Sequence, residues 1–214
     1  MGSVLMSAEE LRREGAIGGG AFVAVAGPSG VGKDTLINYA RDRLAGDPRF
    51  VFVRRIITRD ADGKTEDHDT LSLDEFAAAE RAGDFSLVWQ AHGLSYALPK
   101  SVDTDIAAGR IVIANISRQL IDELKARYEN FVLVVVSAHR DVISARLKAR
   151  GRESDAEIVA RLNRIAVQDT VRYEAIRIEN SGPKETAGER LLHLLEATAR
   201  DPETVMEAMA RSPI

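Results

Sequence analysis

Residues Gly27, Pro28, Ser29, Gly30, Val31, Gly32, Lys33, Asp34 and Thr35 run in that order between five apolar residues, Phe22-Val23-Ala24-Val25-Ala26, and a helical pattern. Strand, glycine-rich turn and helix in this order let a chain wrap its own amides around phosphate. The glycines let successive N–H groups point inward, the helix that follows offers the positive end of its dipole, and Lys33 adds a mobile cation for the β and γ phosphates. The expected ligand is ATP. The alternative is a glycine-rich turn that binds nothing, and the presence of Lys33 at the required place argues against it. Asp34 stands where a Ser or Thr commonly holds Mg2+, and Thr35 follows it. The metal ligand is therefore open between Asp34, Thr35 and water, a carboxylate being a hard oxygen donor suited to the ion.

A second set of charges lies near the middle of the C-terminal half: Arg146, Lys148, Arg150 and Arg152, then Arg161 and Arg164. Arg146 and Arg150 are four apart and Arg161 and Arg164 three apart, so each pair shares a helix face. Two such faces joined at Gly151 could close over a triphosphate. Alone they would read equally well as a solvated helix surface, with Glu153, Asp155 and Glu157 nearby. Beside a phosphate-binding loop the balance changes, because phosphoryl transfer needs cations against the equatorial oxygens of the transferring group and arginine supplies them in planar, bidentate form.

These groups must be carried by a regular frame. Strands are expected over 21 to 26, 50 to 57, 111 to 115, 131 to 137 and 175 to 180, several nearly all apolar, as strands covered on both faces must be. Helices are expected near 34 to 45, 72 to 82, 117 to 128, 139 to 150, 154 to 168 and 184 to 200, and Ser154 with Glu157 forms a capping-box signature. Such alternation implies a parallel sheet with right-handed crossovers. Residues 1 to 20, with Gly15 and Gly18-Gly19-Gly20, read as a flexible extension in which Ser7 to Arg13 could form one helical turn.

Composition bounds the class. The chain has 214 residues, 45% of them hydrophobic, enough for one compact domain with small insertions. Net charge is −4 and no long basic run occurs, which argues against a dedicated nucleic-acid binder. No window approaches the roughly 18 consecutive apolar residues of a membrane span, and the start lacks the layout of a secretory signal. A cytoplasmic location is expected, with no membrane partner. The absence of cysteine excludes disulfides and thiolate chemistry.

The interval 58 to 110 breaks the rhythm. It is long and polar, with one short aromatic run, Phe85-Ser86-Leu87-Val88-Trp89. An inserted region that binds the second substrate fits best. Its landmarks are Thr58-Arg59, Glu66-Asp67-His68 and Ala91-His92-Gly93-Leu94-Ser95-Tyr96, each of which alone reads more simply as a strand end or a solvated loop. His68 and His92 lack the paired helical spacing of a metal site.

Taken together, GPSGVGKDT, RRIITRDADGKTEDH, WQAHGLSYALP, VIANISR and RLKARGRE followed by IVARLNR resemble the ribose 1,5-bisphosphate phosphokinases, over roughly residues 20 to 182. That family is itself related to guanylate kinases. The resemblance implies an α/β fold: a P-loop NTPase of three α/β/α layers with a parallel sheet, like the nucleoside monophosphate kinases, carrying an acceptor-binding insertion and an arginine lid. It places a single kinase domain over 21 to 200, with the insertion at 58 to 110, the lid at 146 to 164 and a C-terminal tail at 201 to 214. Gly-Lys-Asp-Thr is likewise closer to monophosphate kinases than to GTPase or motor loops.

The activity implied is transfer of the γ-phosphoryl of magnesium ATP to ribose 1,5-bisphosphate, giving 5-phosphoribosyl 1-diphosphate, a step of phosphonate breakdown. Lys33, Arg146, Arg150 and Arg161 are then expected on the transition state. Arg59, Glu66, His68, Tyr96, Ser117 and Arg118 are expected on the small-molecule acceptor. Guanylate kinases resemble TR-x-P-R-x-G-E here, and the second arginine of that pattern is missing; they also carry acidic residues where this chain has Asn115-Ile116-Ser117-Arg118, similar to the bisphosphokinase pattern Asn-Gly-Ser-Arg. Ile116 in place of Gly, and Ala97 in place of a Gly after the Tyr, depart from the family pattern. Two further readings stay open: a nucleoside monophosphate kinase acting on GMP, and a guanylate-kinase-like binding module without catalysis, against which Lys33 and the lid arginines argue.

Overall fold

The computed structural model describes residues 15–58, 68–91, 93–151, 154–168 and 173–211. Five strands build its central sheet: β1 (Ala21–Ala26), β2 (Phe50–Phe52), β7 (Ile111–Asn115), β8 (Phe131–Ser137) and β9 (Ile176–Glu179). They lie in the order β2-β7-β1-β8-β9 and every pairing is parallel. Strands expected over 21 to 26, 111 to 115 and 131 to 137 form with those bounds. All six residues of β1 are buried, as the central strand of a sheet covered on both faces must be. Its side chains alternate, so Phe22, Ala24 and Ala26 join one core layer and Ala21, Val23 and Val25 the other.

Helices α1 (Lys33–Arg43) and α7 (Lys184–Arg200) cover one face through Leu36, Ile37, Ala40, Leu191 and Leu195. The opposite face is covered by α3 (Ser101–Ala107) and by a 3-10 turn (Arg118–Leu120) that runs into α4 (Ile121–Arg127), through Val102, Ile106, Leu120, Ile121 and Leu124. This is the three-layer α/β/α arrangement of a P-loop NTPase. Helices α5 (Arg140–Arg150) and α6 (Asp155–Gln168) pack on each other through Ile143, Leu147, Ile158 and Leu162. Ser154 and Glu157 form the expected capping contacts, the Ser154 N–H donating to Glu157 Oε2 at 2.8 Å.

Four segments differ from expectation. The strand expected over 50 to 57 divides: β2 stays in the core sheet beside β7, whereas β3 (Arg55–Ile57) enters a second sheet, of order β4-β3-β6-β5, with β4 (His68–Thr70), β5 (Phe85–Ala91) and β6 (Leu94–Pro99). Consecutive arginines explain the break, since Arg54 cannot sit in a sheet buried on both faces and instead pairs with Asp69 at 3.3 Å. This second sheet, with α2 (Leu73–Ala82) capped by Ser72 and Glu75, spans Arg55 to Pro99, so α3 returns to the core before residue 110. Residues expected as a C-terminal tail instead form α8 (Pro202–Ala210), whose N-cap Asp201 accepts from the Thr204 N–H and whose Val205 and Met209 are buried. Of the expected flexible extension, residues 15 to 20 lie against the core, Ile17 donating its N–H to the Arg127 carbonyl at 2.9 Å; residues 1 to 14, including Ser7 to Arg13, fall outside the described part.

One buried charge cluster ties α3 to the sheet. Asp103, 7% exposed, accepts from Arg127 Nη2 at 2.6 Å, Lys100 Nζ at 2.8 Å and the Tyr128 hydroxyl at 2.9 Å. Tyr128 in turn stacks on Phe22 at 5.0 Å. Burial pushes the Asp103 carboxyl up, but the hydrogen bonds from Arg127, Lys100 and Tyr128 outweigh it and hold the group below its ordinary value. A depressed carboxyl contributes stability above its unfolded value and loses it as pH falls through the lower folded one. Melting temperature should therefore drop on acidification below about pH 4, and Asp103→Asn should flatten that drop. Asp103→Ala, which strands Arg127 and the Tyr128 hydroxyl, should cost about 3 kcal/mol at neutral pH by chemical denaturation. A pH-independent Asp103→Asn difference from wild type would contradict the assignment.

Candidate active site

The loop between β1 and α1 owes its path to glycines. Gly27 has φ +148°, and a Cβ there would meet the Val136 carbonyl oxygen at 2.4 Å. Gly32, the N-cap of α1, has φ +95°. Both positions admit glycine alone without a shift of backbone or neighbours. Lys33 folds back over the loop, its Nζ donating to the Gly27 carbonyl at 2.8 Å and the Pro28 carbonyl at 3.1 Å. The ammonium is thus held at the concave side of the turn.

That turn floors a cavity of about 250 Å³. Gly27, Ser29, Gly30, Gly32, Lys33, Asp34 and Thr35 line its floor, and Asn115, Ile116 and Ser117 extend from the end of β7. Its far wall comes from the second sheet: Arg55 on β3, Trp89 and Ala91 on β5, and Tyr96 on β6. The carboxyl ends of parallel strands are where open α/β sheets receive ligands, and the second sheet closes over that edge. Trp89 and Tyr96 face each other in the antiparallel register and stack, with centroids 5.3 Å apart and planes 14° apart.

Asp34 and Thr35 stand side by side at the floor, a carboxylate and a hydroxyl that suit a hard divalent cation. Asn115 fixes the first of them, its Nδ2 donating to Asp34 Oδ1 at 2.7 Å. One carboxylate oxygen is thereby oriented by the core sheet.

Helix α5 packs on this floor. Leu147 and Ile143 of α5 lie against Gly30, where a Cβ would meet Leu147 Cδ2 at 3.0 Å, and Arg146 Nη1 donates to the Val31 carbonyl at 3.1 Å. Lys148 pairs with Asp155 at 2.9 Å across the turn at Gly151 and so belongs to the surface joining α5 and α6. Arg150 ends α5 and Arg161 lies within α6; the side chains of Arg150, Arg161 and Arg164 are outside the described part, as is all of Arg152.

Among the acceptor candidates, Tyr96 and Ser117 line the cavity with the loop residues. Arg118 opens the 3-10 turn one residue past the lining, and His68 sits on β4, its carbonyl accepting from Arg54 Nη2 at 2.9 Å. Arg59 and Glu66 lie outside the described residues, as does His92. Pro28 and Val31 shape the loop rather than line the cavity; Val31 is fully buried. Of the two departures from the family pattern, Ile116 is 3% exposed and lines the cavity just past β7, whereas Ala97 is fully buried in regular strand pairing and is not among the lining residues.

Arg55 and Trp89 were not expected as site residues, and Asn115 was expected only as part of the Asn115-Ile116-Ser117-Arg118 pattern, with no contact to Asp34. Period two in Arg54-Arg55-Ile56-Ile57 shows that the two arginines point to opposite faces, which would have separated the outward Arg54 from the inward Arg55. Trp89 and Tyr96 meet only because of the hairpin register, which the sequence leaves open.

No family model matches the chain. Among curated proteins it is similar to the ribose 1,5-bisphosphate phosphokinase of Brucella melitensis, 49% identical over 180 residues that make up 84% of this chain and 94% of that protein. It is also similar to the ribose 1,5-bisphosphate phosphokinase of a Chelativorans species, 47% identical over 183 residues, 84% of this chain and 87% of that one. Among solved structures, guanylate kinase from Anaplasma phagocytophilum superposes with a TM-score of 0.59 over 84% of this chain and 86% of that chain, at 18% identity, a likeness of fold alone.

Proposed function

The chain belongs to the ribose 1,5-bisphosphate phosphokinases and is a kinase, and from that premise we propose that it transfers the γ-phosphoryl group of ATP to the 1-phosphate of ribose 1,5-bisphosphate, releasing ADP and 5-phosphoribosyl 1-diphosphate. The observation that supports this acceptor is the division of charge in the cavity. Among its lining residues Lys33 is the cation on the ATP side and Arg55 the cation on the far wall beside Tyr96, while Asn115 and Ser117 add neutral polar groups from the end of β7. The one lining carboxylate, Asp34, sits at the loop. A sugar carrying two phosphates is matched by a cationic wall and would be repelled by an acidic one.

In the proposed reaction an oxygen of the acceptor 1-phosphate bonds to the γ phosphorus while the bond from that phosphorus to the β,γ-bridging oxygen breaks, the electron pair leaving with ADP. The attacking oxygen is already ionised, so no general base is required, and catalysis consists of alignment and charge neutralisation. The loop amides and Lys33 hold the β and γ phosphates, and Arg146, Arg150 and Arg161 meet the charge that spreads over the transferring group. A divalent cation, Mg2+ in our reading, would be held by Asp34 and Thr35 and would neutralise charge between the β and γ phosphates. Arg55, Arg118, Ser117 and Tyr96 orient the sugar phosphate, with Arg59, Glu66 and His68 completing the acceptor side.

An ADP-release assay across acceptors tests this reading. Ribose 1,5-bisphosphate should be preferred over GMP and over ribose 5-phosphate by at least about a hundredfold in kcat/KM; the reverse order with GMP would return the chain to the monophosphate-kinase reading. Position relative to the cavity also ranks the arginines. Arg55→Gln should raise the acceptor KM roughly tenfold to a hundredfold, the range for a lost charge-assisted hydrogen bond, with ATP affinity within about twofold. Arg118→Ala should have the smaller effect. Equal acceptor KM in wild type and Arg55→Gln would remove Arg55 from the site.

A further inference from the structure

Asn180, which follows β9, is 2% exposed and lies far from any acceptor candidate in sequence. Its main-chain N–H continues the sheet, donating to the Ser137 carbonyl at 2.8 Å. Its side chain does something else: Nδ2 donates to the Val31 carbonyl at 2.8 Å, inside the phosphate-binding loop. The same carbonyl is the acceptor for Arg146 Nη1 at 3.1 Å. The fit is close, because a Cβ on the neighbouring Gly32 would come within 2.5 Å of Asn180 Nδ2. Meanwhile Asn180 Oδ1 is buried with no hydrogen-bond partner among the described residues.

An orphaned buried acceptor is a cost. An apolar side chain would carry no orphaned acceptor, so packing alone does not account for asparagine here. What asparagine adds is a donor to Val31, delivered from the end of a strand of the central sheet. Arg146 delivers its donor to the same oxygen from the lid helix. We propose that Asn180 is a positioning residue that keeps the phosphate-binding loop in shape through the Val31 carbonyl, so that Arg146 can leave that carbonyl for the transferring phosphoryl group without the loop relaxing. The proposal rests on the reading of the loop as an ATP site. It is independent of the acceptor.

The test is ATP binding by calorimetry with Mg2+ and no acceptor, alongside melting temperature, for Asn180→Leu, Asn180→Ala, Arg146→Ala and the combination of Asn180→Leu with Arg146→Ala. Both Asn180 variants should bind ATP roughly three- to tenfold more weakly, the range for one uncharged hydrogen bond, in samples that are folded at the temperature of the measurement. Arg146→Ala alone should change ATP affinity by less than about threefold, because Asn180 still holds the carbonyl. In the combined variant the loss should exceed the product of the two single losses, since the two donors share one acceptor. ATP affinity unchanged in both Asn180 variants, a lowered melting temperature with affinity intact in the folded protein, or a combined loss equal to the product would each overturn the proposal. Absence of ATP binding in wild type would instead remove the loop assignment on which it stands.

Discussion

Lys33→Ala is expected to lower kcat by about two to four orders of magnitude while leaving a folded protein, because a cation bridging the β and γ phosphates stabilises charge that develops as the phosphoryl group transfers. The ammonium lies 2.8 Å from the Gly27 carbonyl and 3.1 Å from the Pro28 carbonyl, on the concave side of the loop. Both acceptors remain open to water when the side chain is cut back, and the loop path is set by Gly27, Gly32 and the Val31 anchor, so the melting temperature should move little. Lys33→Arg should rescue poorly, since a planar guanidinium cannot replace a compact ammonium in that turn. Steady-state rates on samples with wild-type melting behaviour check this. Near-normal turnover in folded Lys33→Ala would take Lys33 out of the mechanism.

Arg146→Ala is expected to lower kcat by about two to three orders of magnitude, with the ATP dissociation constant changed by less than about threefold. The argument is geometric. In this structure the guanidinium is held on the Val31 carbonyl, at the rim of the loop, on a helix whose Leu147 and Ile143 already rest on Gly30. From that place the side chain would turn toward the transferring group, and an interaction made mainly in the transition state appears in kcat rather than in binding. Arg150→Ala should follow the same pattern through its place at the end of the same helix. Single-turnover rates together with equilibrium ATP binding separate the two quantities. A change confined to the KM for ATP would assign Arg146 to ground-state binding only.

Much of this site was legible in the chain because local rules generate it. A glycine-rich turn between a buried strand and a helix has few alternatives, and β1 is apolar throughout and β7 and β8 are apolar up to their last residues, Asn115 and Ser137, because both faces are covered. The segments that escaped were those decided by tertiary contacts. The strand expected over 50 to 57 is continuous in propensity, yet Arg54 forces it out of the core and Arg55 becomes part of the cavity wall. Likewise α8 looked like a tail because its two buried residues, Val205 and Met209, are four apart on a short helix and reveal their purpose only where Met209 reaches the Leu133 N–H. Asn115 and Asn180 were invisible as loop supports for a related reason. Nothing in a strand-end asparagine announces that, 81 residues from Asp34 and 149 from Val31, its amide will meet the phosphate-binding loop.

The central claim is the chemical identity of what the two ends of the cavity bring together, and phosphorus NMR of the reaction mixture tests it most directly. With ATP, Mg2+ and ribose 1,5-bisphosphate, the sugar 1-phosphate resonance should be replaced by a coupled pair from a diphosphate ester as ADP grows in equal amount, while the 5-phosphate resonance keeps its place. A sugar 1-phosphate resonance that persists unchanged, while the same enzyme and ATP convert GMP to GDP, would contradict the account.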